Sequence, residues 1–231
     1  MRMLILFGDM LRVARFEIRD LMKRTLAVIV LLAAAMLAAG CGSSPASPSK
    51  QPIRRIVVLG DSLAVTPTVD QSFPAVLQAR ITSERRPWTI TNAGVFGDTT
   101  ADGVRRVDAL LAGDVGILVL ALGANDGLGG VDTTIVDRNL STIVEAAQRH
   151  NVRTLLCGME TLPTHGLNYA AAFHAVFPRV AERYAIPLVP FLLDGVALNP
   201  SLNGPDLVHP NAAGAQKIAD NVWPYLAPLL Q

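Results

Sequence analysis

The sequence predicts an α/β domain, a three-layer α/β/α sandwich built on a parallel sheet of about five strands. Short runs of apolar, often β-branched residues alternate with longer segments in which apolar residues recur at spacings of three and four. The runs are nearly continuously apolar, which is typical of strands buried on both faces of a parallel sheet. With 231 residues, 51% of them hydrophobic, the chain can bury one large core and is too short for two comfortable domains.

Five apolar runs are predicted to be the strands. They are Ile56 to Leu59, Trp88 to Val95, Ile117 to Leu122, Arg153 to Cys157 and Pro187 to Pro190. Ligands bind beyond the carboxyl ends of the strands in such sheets. The residues that directly follow each run are therefore the candidates for a functional site.

The segments between these runs predict helices. Helical spacing of apolar residues covers Phe73 to Ile81, Thr100 to Leu111, Thr133 to Arg149, Tyr169 to Tyr184 and Ala212 to Leu229. Either Asp98 or Thr99 can cap the second of these helices, and Asp132 can cap the third, since their side-chain oxygens accept hydrogen bonds from free backbone N–H groups.

The chain opens with a predicted leader, residues 1–40. Lys23 and Arg24 precede an apolar run that ends before Cys41, and the true start is Met1 or Met22. The run is shorter than the roughly 20 residues that span a membrane. Small residues directly before Cys41 resemble the bacterial lipobox, which implies cleavage there and a lipid on the cysteine thiol. An uncleaved anchor and a plain signal peptide are the alternatives.

Residues 41–52 are predicted to be a flexible tether, because they are rich in Ser, Pro and Gly, and residues 53–231 the domain. The protein is then secreted across the inner membrane and lipid-anchored in the cell envelope, facing the periplasm. Since Gly42 and not an aspartate follows Cys41, the outer membrane is expected in a Gram-negative cell. A formal net charge of +1 gives no electrostatic reason to expect a nucleic-acid partner. The only other cysteine, Cys157, is then left without a disulfide partner and is expected to be a buried structural thiol.

Three residue types suited to nucleophilic catalysis stand at loop positions. Ser62 comes three positions after the end of the first apolar run, and Asp206 and His209 precede the last helix, where Pro210 keeps the backbone of His209 extended. A serine hydroxyl attacks a carbonyl only when a base takes its proton, and an imidazole base needs a carboxylate to hold its tautomer. These residues supply the three roles together, although each alone is also compatible with a turn or a helix cap.

Acyl transfer also needs hydrogen-bond donors for the developing oxyanion. Gly97 follows the second run and is expected to open the next helix, with its N–H directed into the cleft. Asn125 follows the third run and brings a side-chain amide to the same edge. Asp61 and Asp126, beside Ser62 and Asn125, are interpreted as structural residues that hold the turns.

The remaining histidines are His150, His165 and His174, and they show no second ligand at metal spacing, so a solvated role is expected for them. His165 follows the fourth run and lies on the expected active edge of the sheet. It is the one among them that could contact a substrate.

Four short blocks together resemble those of the SGNH/GDSL hydrolases. They are Gly60-Asp61-Ser62-Leu63, the Gly97 block, Gly123-Ala124-Asn125-Asp126 and Asp206 to Pro210, and they occur in the family's order. Gly97-Asp98-Thr99-Thr100 and Gly123 to Gly127 are similar to the bacterial arylesterase/thioesterase I/lysophospholipase branch. One departure is the segment 64–68, which lacks the glycine that this branch commonly carries after its nucleophile.

The resemblance implies a flavodoxin-like SGNH fold and a serine esterase without metal or cofactor. Ser62 would be the nucleophile, His209 the general base and Asp206 its orienting acid. The backbone N–H groups of Ser62 and Gly97 and the amide of Asn125 would form the oxyanion hole.

The predicted function is hydrolysis of carboxylic esters or thioesters through an acyl-enzyme, with short or medium acyl chains, aryl esters or lysophospholipids as substrates. A small-molecule ester is the expected partner, the membrane is contacted through Cys41, and no protein partner is predicted. One alternative is O-deacetylation of a cell-envelope carbohydrate, and another is an inactive lipoprotein that binds an acyl ligand. The complete set of Ser62, Asn125, Asp206 and His209 argues against the inactive protein.

Overall fold

The structure, a computed structural model, describes residues 54–231 of the chain. The predicted leader, the lipidation of Cys41 and the tether lie outside the described residues, and a domain boundary at residue 53 stays a prediction. Within the described range no helix is both long and apolar enough to cross a membrane.

Five parallel strands form one sheet in the order β2-β1-β3-β4-β5. Their bounds are β1 Arg54–Gly60, β2 Trp88–Asn92, β3 Val115–Ala121, β4 Arg153–Cys157 and β5 Leu188–Val189. Ile56 to Leu59 in β1 and Ile117 to Leu120 in β3 are fully buried, as expected for central strands covered on both faces. The predicted five-stranded parallel sheet is confirmed.

Seven α-helices complete the described part of the chain. They are α1 Phe73–Ser83, α2 Thr100–Leu110, α3 Ala124–Gly129, α4 Thr133–Arg149, α5 Leu167–His174, α6 Val176–Tyr184 and α7 Ala212–Leu226. Helices α2, α4 and α6 pack side by side, and α1 packs against α7. The chain moves from β1 to β2 at one edge of the sheet and then from β3 to β5 toward the other edge. Because the crossovers are right-handed, this reversal places the pair α1 and α7 on one face of the sheet and the group α2, α4 and α6 on the other. The three-layer arrangement is the predicted one.

Several predicted boundaries were wrong for local reasons. β5 has two residues, since Pro187 and Pro190 on either side of it carry no N–H for the sheet. β2 ends at Asn92, whose side chain accepts a hydrogen bond from the Gly94 N–H at 3.0 Å and turns the chain away. The segment predicted as one helix from Tyr169 to Tyr184 is two helices, because Pro178 in the first turn of α6 cannot donate to a carbonyl four residues earlier.

Two caps fix where α2 and α4 begin. Thr99, rather than Asp98, is the N-cap of α2 and forms a capping box with Asp102, and Asp132 caps α4 as predicted. The start of α2 is held a second time by Asp126, whose carboxylate accepts hydrogen bonds from the N–H and hydroxyl of Thr100 at 2.8 and 2.6 Å. Asp126 therefore braces α2 from α3, instead of holding the turn beside Asn125 that the sequence suggested.

Candidate active site

Ser62 begins a single 3₁₀ turn, Ser62–Ala64, directly after β1. Asp61 caps this turn, since its Oδ1 accepts a hydrogen bond from the Leu63 N–H at 2.9 Å. The Ser62 carbonyl accepts hydrogen bonds from the N–H of Val65 and from the N–H and hydroxyl of Thr66. These bonds hold the backbone on both sides of the serine, so its position is fixed before any ligand binds.

Ser62, His209 and Asp206 come together in one hydrogen-bonded chain. His209 Nε2 lies 3.0 Å from Ser62 Oγ, and His209 Nδ1 lies 2.6 Å from Asp206 Oδ2. Asp206 Oδ1 also accepts the backbone N–H groups of Val208 and His209, both at 3.0 Å. The bond from His209 and these two N–H groups hold the pKa of Asp206 below its usual range. An ionised Asp206 requires the proton on Nδ1, which leaves Nε2 free to accept the proton of Ser62.

The loop that carries Asp206 and His209 is held at its base. Asn203 and Pro210 form an isolated antiparallel bridge, and the Gly204 N–H donates to the His209 carbonyl at 2.8 Å. The buried Asn203 amide donates to the carbonyls of Val196 and Asn199 at 2.6 and 2.9 Å. The imidazole is thus oriented by a closed loop rather than by an extended flexible segment.

Gly97 lies in a turn, two residues before the N-cap of α2, and the expectation that it opens the helix was wrong. Its φ is +79°, a conformation that glycine adopts without strain. The next residue, Asp98, donates its N–H to the Val95 carbonyl at 3.2 Å, and Phe96 on the other side has its ring centroid 6.2 Å from that of His209. Gly97 therefore sits between Phe96, which lies near His209, and Asp98, whose carbonyl accepts a hydrogen bond from Asn125. Among residues 54–231, no protein group accepts its N–H or that of Ser62.

Asn125 is the second residue of α3, a helix that the sequence analysis treated as a turn. Its Nδ2 donates to the Asp98 carbonyl at 2.8 Å and lies 3.5 Å from Asp61 Oδ2, at the outer limit of a hydrogen bond. One amide hydrogen therefore makes a strong hydrogen bond, and the other has only the long contact with Asp61. The three predicted oxyanion donors thus lie in segments that follow β1, β2 and β3, at the carboxyl end of the sheet.

Asp61 is a fully buried carboxyl beneath the serine. Burial raises its pKa to about 7, although the Leu63 N–H and the nearby His209 pull the pKa in the other direction. The bond from the Leu63 N–H agrees with the structural role predicted for Asp61. Its burial and its raised pKa could not be predicted from the sequence, because both depend on how distant segments pack.

An apolar cavity of about 240 Å³ opens beside these groups. Leu63, Ala124 and Val208, the immediate sequence neighbours of Ser62, Asn125 and His209, all line it. Its opposite wall comes from Phe191, Leu193, Ala197 and Leu198 after β5, with Glu160 as its single charged lining residue. The residues of this wall were not among the predicted site residues. A signal was available, since residues 191–198 directly follow the last strand, where ligands bind in parallel sheets.

The other three histidines, His150, His165 and His174, are exposed, as expected, and Cys157 is buried. His165 Nε2 is 3.0 Å from the Leu128 carbonyl, and His174 Nδ1 is 2.5 Å from Glu160 Oε1. Cys157 is fully buried, which raises the pKa of its thiol to about 12 and agrees with the predicted structural role. No cluster of three or more His, Cys, Asp or Glu side chains in residues 54–231 is arranged to hold a metal ion.

Comparison with known proteins gives consistent matches. Residues 58–217 match the GDSL-like Lipase/Acylhydrolase family. Esterase TesA of Pseudomonas aeruginosa is 34% identical over 199 residues, which are 85% of this chain and 99% of the relative. Thioesterase 1/protease 1/lysophospholipase L1 of Escherichia coli (strain K12) is 33% identical over 178 residues, 76% of this chain and 84% of the relative. The crystal structure of TesA superposes with a TM-score of 0.73 at 35% identity, covering 76% of this chain and 99% of that structure.

Proposed function

Because this chain belongs to the GDSL-like lipase/acylhydrolase family and is a serine ester hydrolase, we propose that Ser62, His209 and Asp206 carry out its reaction. The observation that carries the proposal is the hydrogen-bonded chain from Asp206 Oδ2 through both ring nitrogens of His209 to Ser62 Oγ. It joins a nucleophile, a base and an orienting carboxylate in the order that acyl transfer requires.

In the first half of the proposed reaction, Ser62 Oγ attacks the carbonyl carbon of the ester while His209 Nε2 takes the hydroxyl proton. The tetrahedral intermediate collapses when the bond to the leaving oxygen or sulfur breaks, and His209 gives that atom its proton. In the second half, water attacks the acyl-enzyme and gives a proton to His209, which returns it to Ser62 as the acid leaves. Asp206, ionised throughout, stabilises the imidazolium in both halves.

The oxyanion of each intermediate would be bound by the N–H groups of Ser62 and Gly97 and by the second amide hydrogen of Asn125. This assignment is supported by the lack of any protein acceptor for the two backbone groups within residues 54–231. It is also supported by the single strong bond that Asn125 makes, to the Asp98 carbonyl. Donors that are fixed before the reaction stabilise developing charge without a reorganisation cost.

The cavity favours an ester with an apolar acyl chain as the substrate. An engineered cavity of about 150 Å³ binds benzene, so by proportion 240 Å³ would hold on the order of ten carbon atoms. A short or medium acyl chain therefore fits, whether it is joined to an aryl alcohol, a thiol or a glycerophosphate. TesA and the E. coli relative are named esterase and thioesterase/lysophospholipase, which supports the same choice.

A lipid on Cys41 is the second part of the proposal. The lipobox-like residues before Cys41 and the short polar segment up to the domain support it. The enzyme would then act in the bacterial cell envelope at the end of a tether. Expression in bacteria fed a labelled fatty acid tests this part, with Cys41→Ser as the control. The label should appear in the wild-type chain and be missing from the variant, and equal labelling of both would contradict the anchor.

The catalytic part is tested by the hydrolysis of p-nitrophenyl esters from acetate to decanoate. We expect the wild-type chain to hydrolyse them with an optimum near the chain length that fills the cavity, and Ser62→Ala to lose activity by at least about 10⁴-fold. Activity of Ser62→Ala near that of the wild type would refute the assignment of the nucleophile. Release of acetate from a cell-envelope polysaccharide, with no hydrolysis of longer esters, would favour a carbohydrate O-deacetylase instead.

A further inference from the structure

Arg106 connects three segments that surround the proposed oxyanion hole. It projects from α2, and its Nη1 donates to the Ala93 carbonyl at 2.6 Å while its Nη2 donates to the Gly60 carbonyl at 3.0 Å. Nη2 also lies 2.6 Å from Asp98 Oδ2, with the geometry of an ion pair rather than of an aligned hydrogen bond. The side chains of Arg106 and Asp98 are only 24% and 12% exposed.

These contacts hold both sides of the reacting centre. Gly60 is the last residue of β1 and stands two positions before Ser62, and Ala93 directly follows β2. The backbone carbonyl of Asp98 accepts a hydrogen bond from the side-chain amide of Asn125, and Asp98 directly follows Gly97. One guanidinium thus fixes the end of the serine strand relative to the turn that carries Gly97 and that accepts a hydrogen bond from Asn125.

From these contacts we propose that Arg106 and Asp98 are positioning residues that set the distance between Ser62 and the oxyanion donors Gly97 and Asn125. This inference rests on the function proposed for those donors. Arg106 touches no reacting atom and acts through Asp98 and the strand carbonyls. The ion pair is largely shielded from water, so loss of either partner leaves a charge without its counterpart and moves the turn.

The fold around Arg106 has independent supports. Thr99 and Asp102 cap α2 with a capping box, and the carboxylate of Asp126 binds the N–H and hydroxyl of Thr100. The helix would therefore begin at the same residue without the ion pair. A change at Asp98 should be felt in the geometry of the turn more than in the stability of the domain.

The test measures kcat and KM of the full chain, purified in detergent, with a soluble p-nitrophenyl ester. A donor displaced by about 1 Å can cost ~10²-fold, and a donor removed costs ~10²–10³-fold in kcat. We expect Asp98→Asn and Arg106→Gln each to lower kcat by roughly 10- to 100-fold with KM changed less than about 3-fold. Arg106→Lys should not restore the rate, since an ammonium cannot reach two carbonyls and a carboxylate at once.

Arg105→Gln is the matched control. It lies beside Arg106 on α2, its side chain is 68% exposed, and it pairs with Asp102 at the surface. Its kcat should equal that of the wild type. Because Asp98 acts through Asn125, the kcat loss in the double variant Asp98→Asn with Asn125→Ala should be much smaller than the product of the two single losses.

Two results would overturn the inference while the proposed function stands. One is a wild-type kcat for Asp98→Asn, and the other is a double variant whose loss equals the product of the single losses. Asp98→Asn decides the matter alone if Arg106→Gln does not fold. Ser62→Ala, measured beside these variants, separates the two claims: if Ser62→Ala stays active, the proposed function itself is wrong.

Discussion

Ala197→Phe should shorten the acyl chain that the enzyme prefers. Ala197 lies on the wall of the cavity formed by the segment after β5. A benzene ring fills a cavity of about 150 Å³, so the added ring would leave ~90 Å³ of the 240 Å³ cavity, enough for on the order of four carbon atoms. A butyryl chain still fits in this space, and an octanoyl chain does not.

The expected change in chain-length preference follows from the methylene groups of octanoate that no longer fit in the cavity. Each buried methylene contributes about 0.8 kcal/mol, so the four extra methylenes of octanoate, half-buried in the open cleft, contribute ~1.6 kcal/mol. That free energy corresponds to a factor of roughly 15 in kcat/KM. The ratio of kcat/KM for p-nitrophenyl octanoate to that for the butyrate should therefore fall by about this factor in Ala197→Phe.

The control is Ala109→Phe, which adds the same ring at an exposed position of α2 outside the cavity lining. Its octanoate-to-butyrate ratio should equal that of the wild type. An unchanged ratio in Ala197→Phe, from a protein with normal activity on butyrate, would show that the acyl chain does not bind in this cavity.

Three further outcomes are expected. Asn125→Ala should lower kcat by about 10²–10³-fold if its amide binds the oxyanion, and an unchanged rate would exclude that role. Burial raises the pKa of Asp61 from its ordinary value of 3.8 to about 7 in the folded protein, so unfolding releases a proton between these pH values and stability should fall as pH rises from 4 to 7. In the wild type the loss of unfolding free energy over this pH range is up to about 4 kcal/mol, and it should appear as a fall in Tm. Asp61→Asn should show a flatter dependence of Tm on pH, and an equal dependence in both proteins would refute the raised pKa. Gly214→Ala would place a Cβ 2.0 Å from the Leu202 carbonyl, so Tm should drop by roughly 3 to 10 °C, and a wild-type Tm would contradict the packing at the base of the His209 loop.

The sheet and the three residues of the hydrogen-bonded chain could be predicted because their signals are local. Each central strand of the sheet is a short, continuously apolar run. Ser62 follows the first of these runs after only Gly60 and Asp61. His209 was predictable because Pro210 limits its backbone and Asp206 stands within one turn of chain.

The features that the sequence did not reveal depend on contacts between distant segments. Helix α3 was missed because Gly123, Gly127, Gly129 and Gly130 give its segment the composition of a loop. The raised pKa of Asp61 arises only when segments from different strands meet. The segment 191–198 was a candidate by its position after the last strand, but that it lines one cavity with Leu63 and Val208 depends on the fold. In the sequence, Arg106 cannot be told from an exposed arginine on a helix. Its proposed positioning role depends on hydrogen bonds to the carbonyls of Ala93 and Gly60, which lie 13 and 46 positions earlier in the chain.

The most direct test of the account is to find which residue is acylated. The purified chain is treated with a p-nitrophenyl alkylphosphonate, which forms a stable mimic of the tetrahedral intermediate on a nucleophilic serine, and its peptides are analysed by mass spectrometry. We expect one adduct on the peptide that contains Ser62, fast in the wild type, slow in His209→Ala and missing in Ser62→Ala. An adduct on another residue, or continued ester hydrolysis by a wild-type chain whose Ser62 is fully labelled, would contradict the central claim.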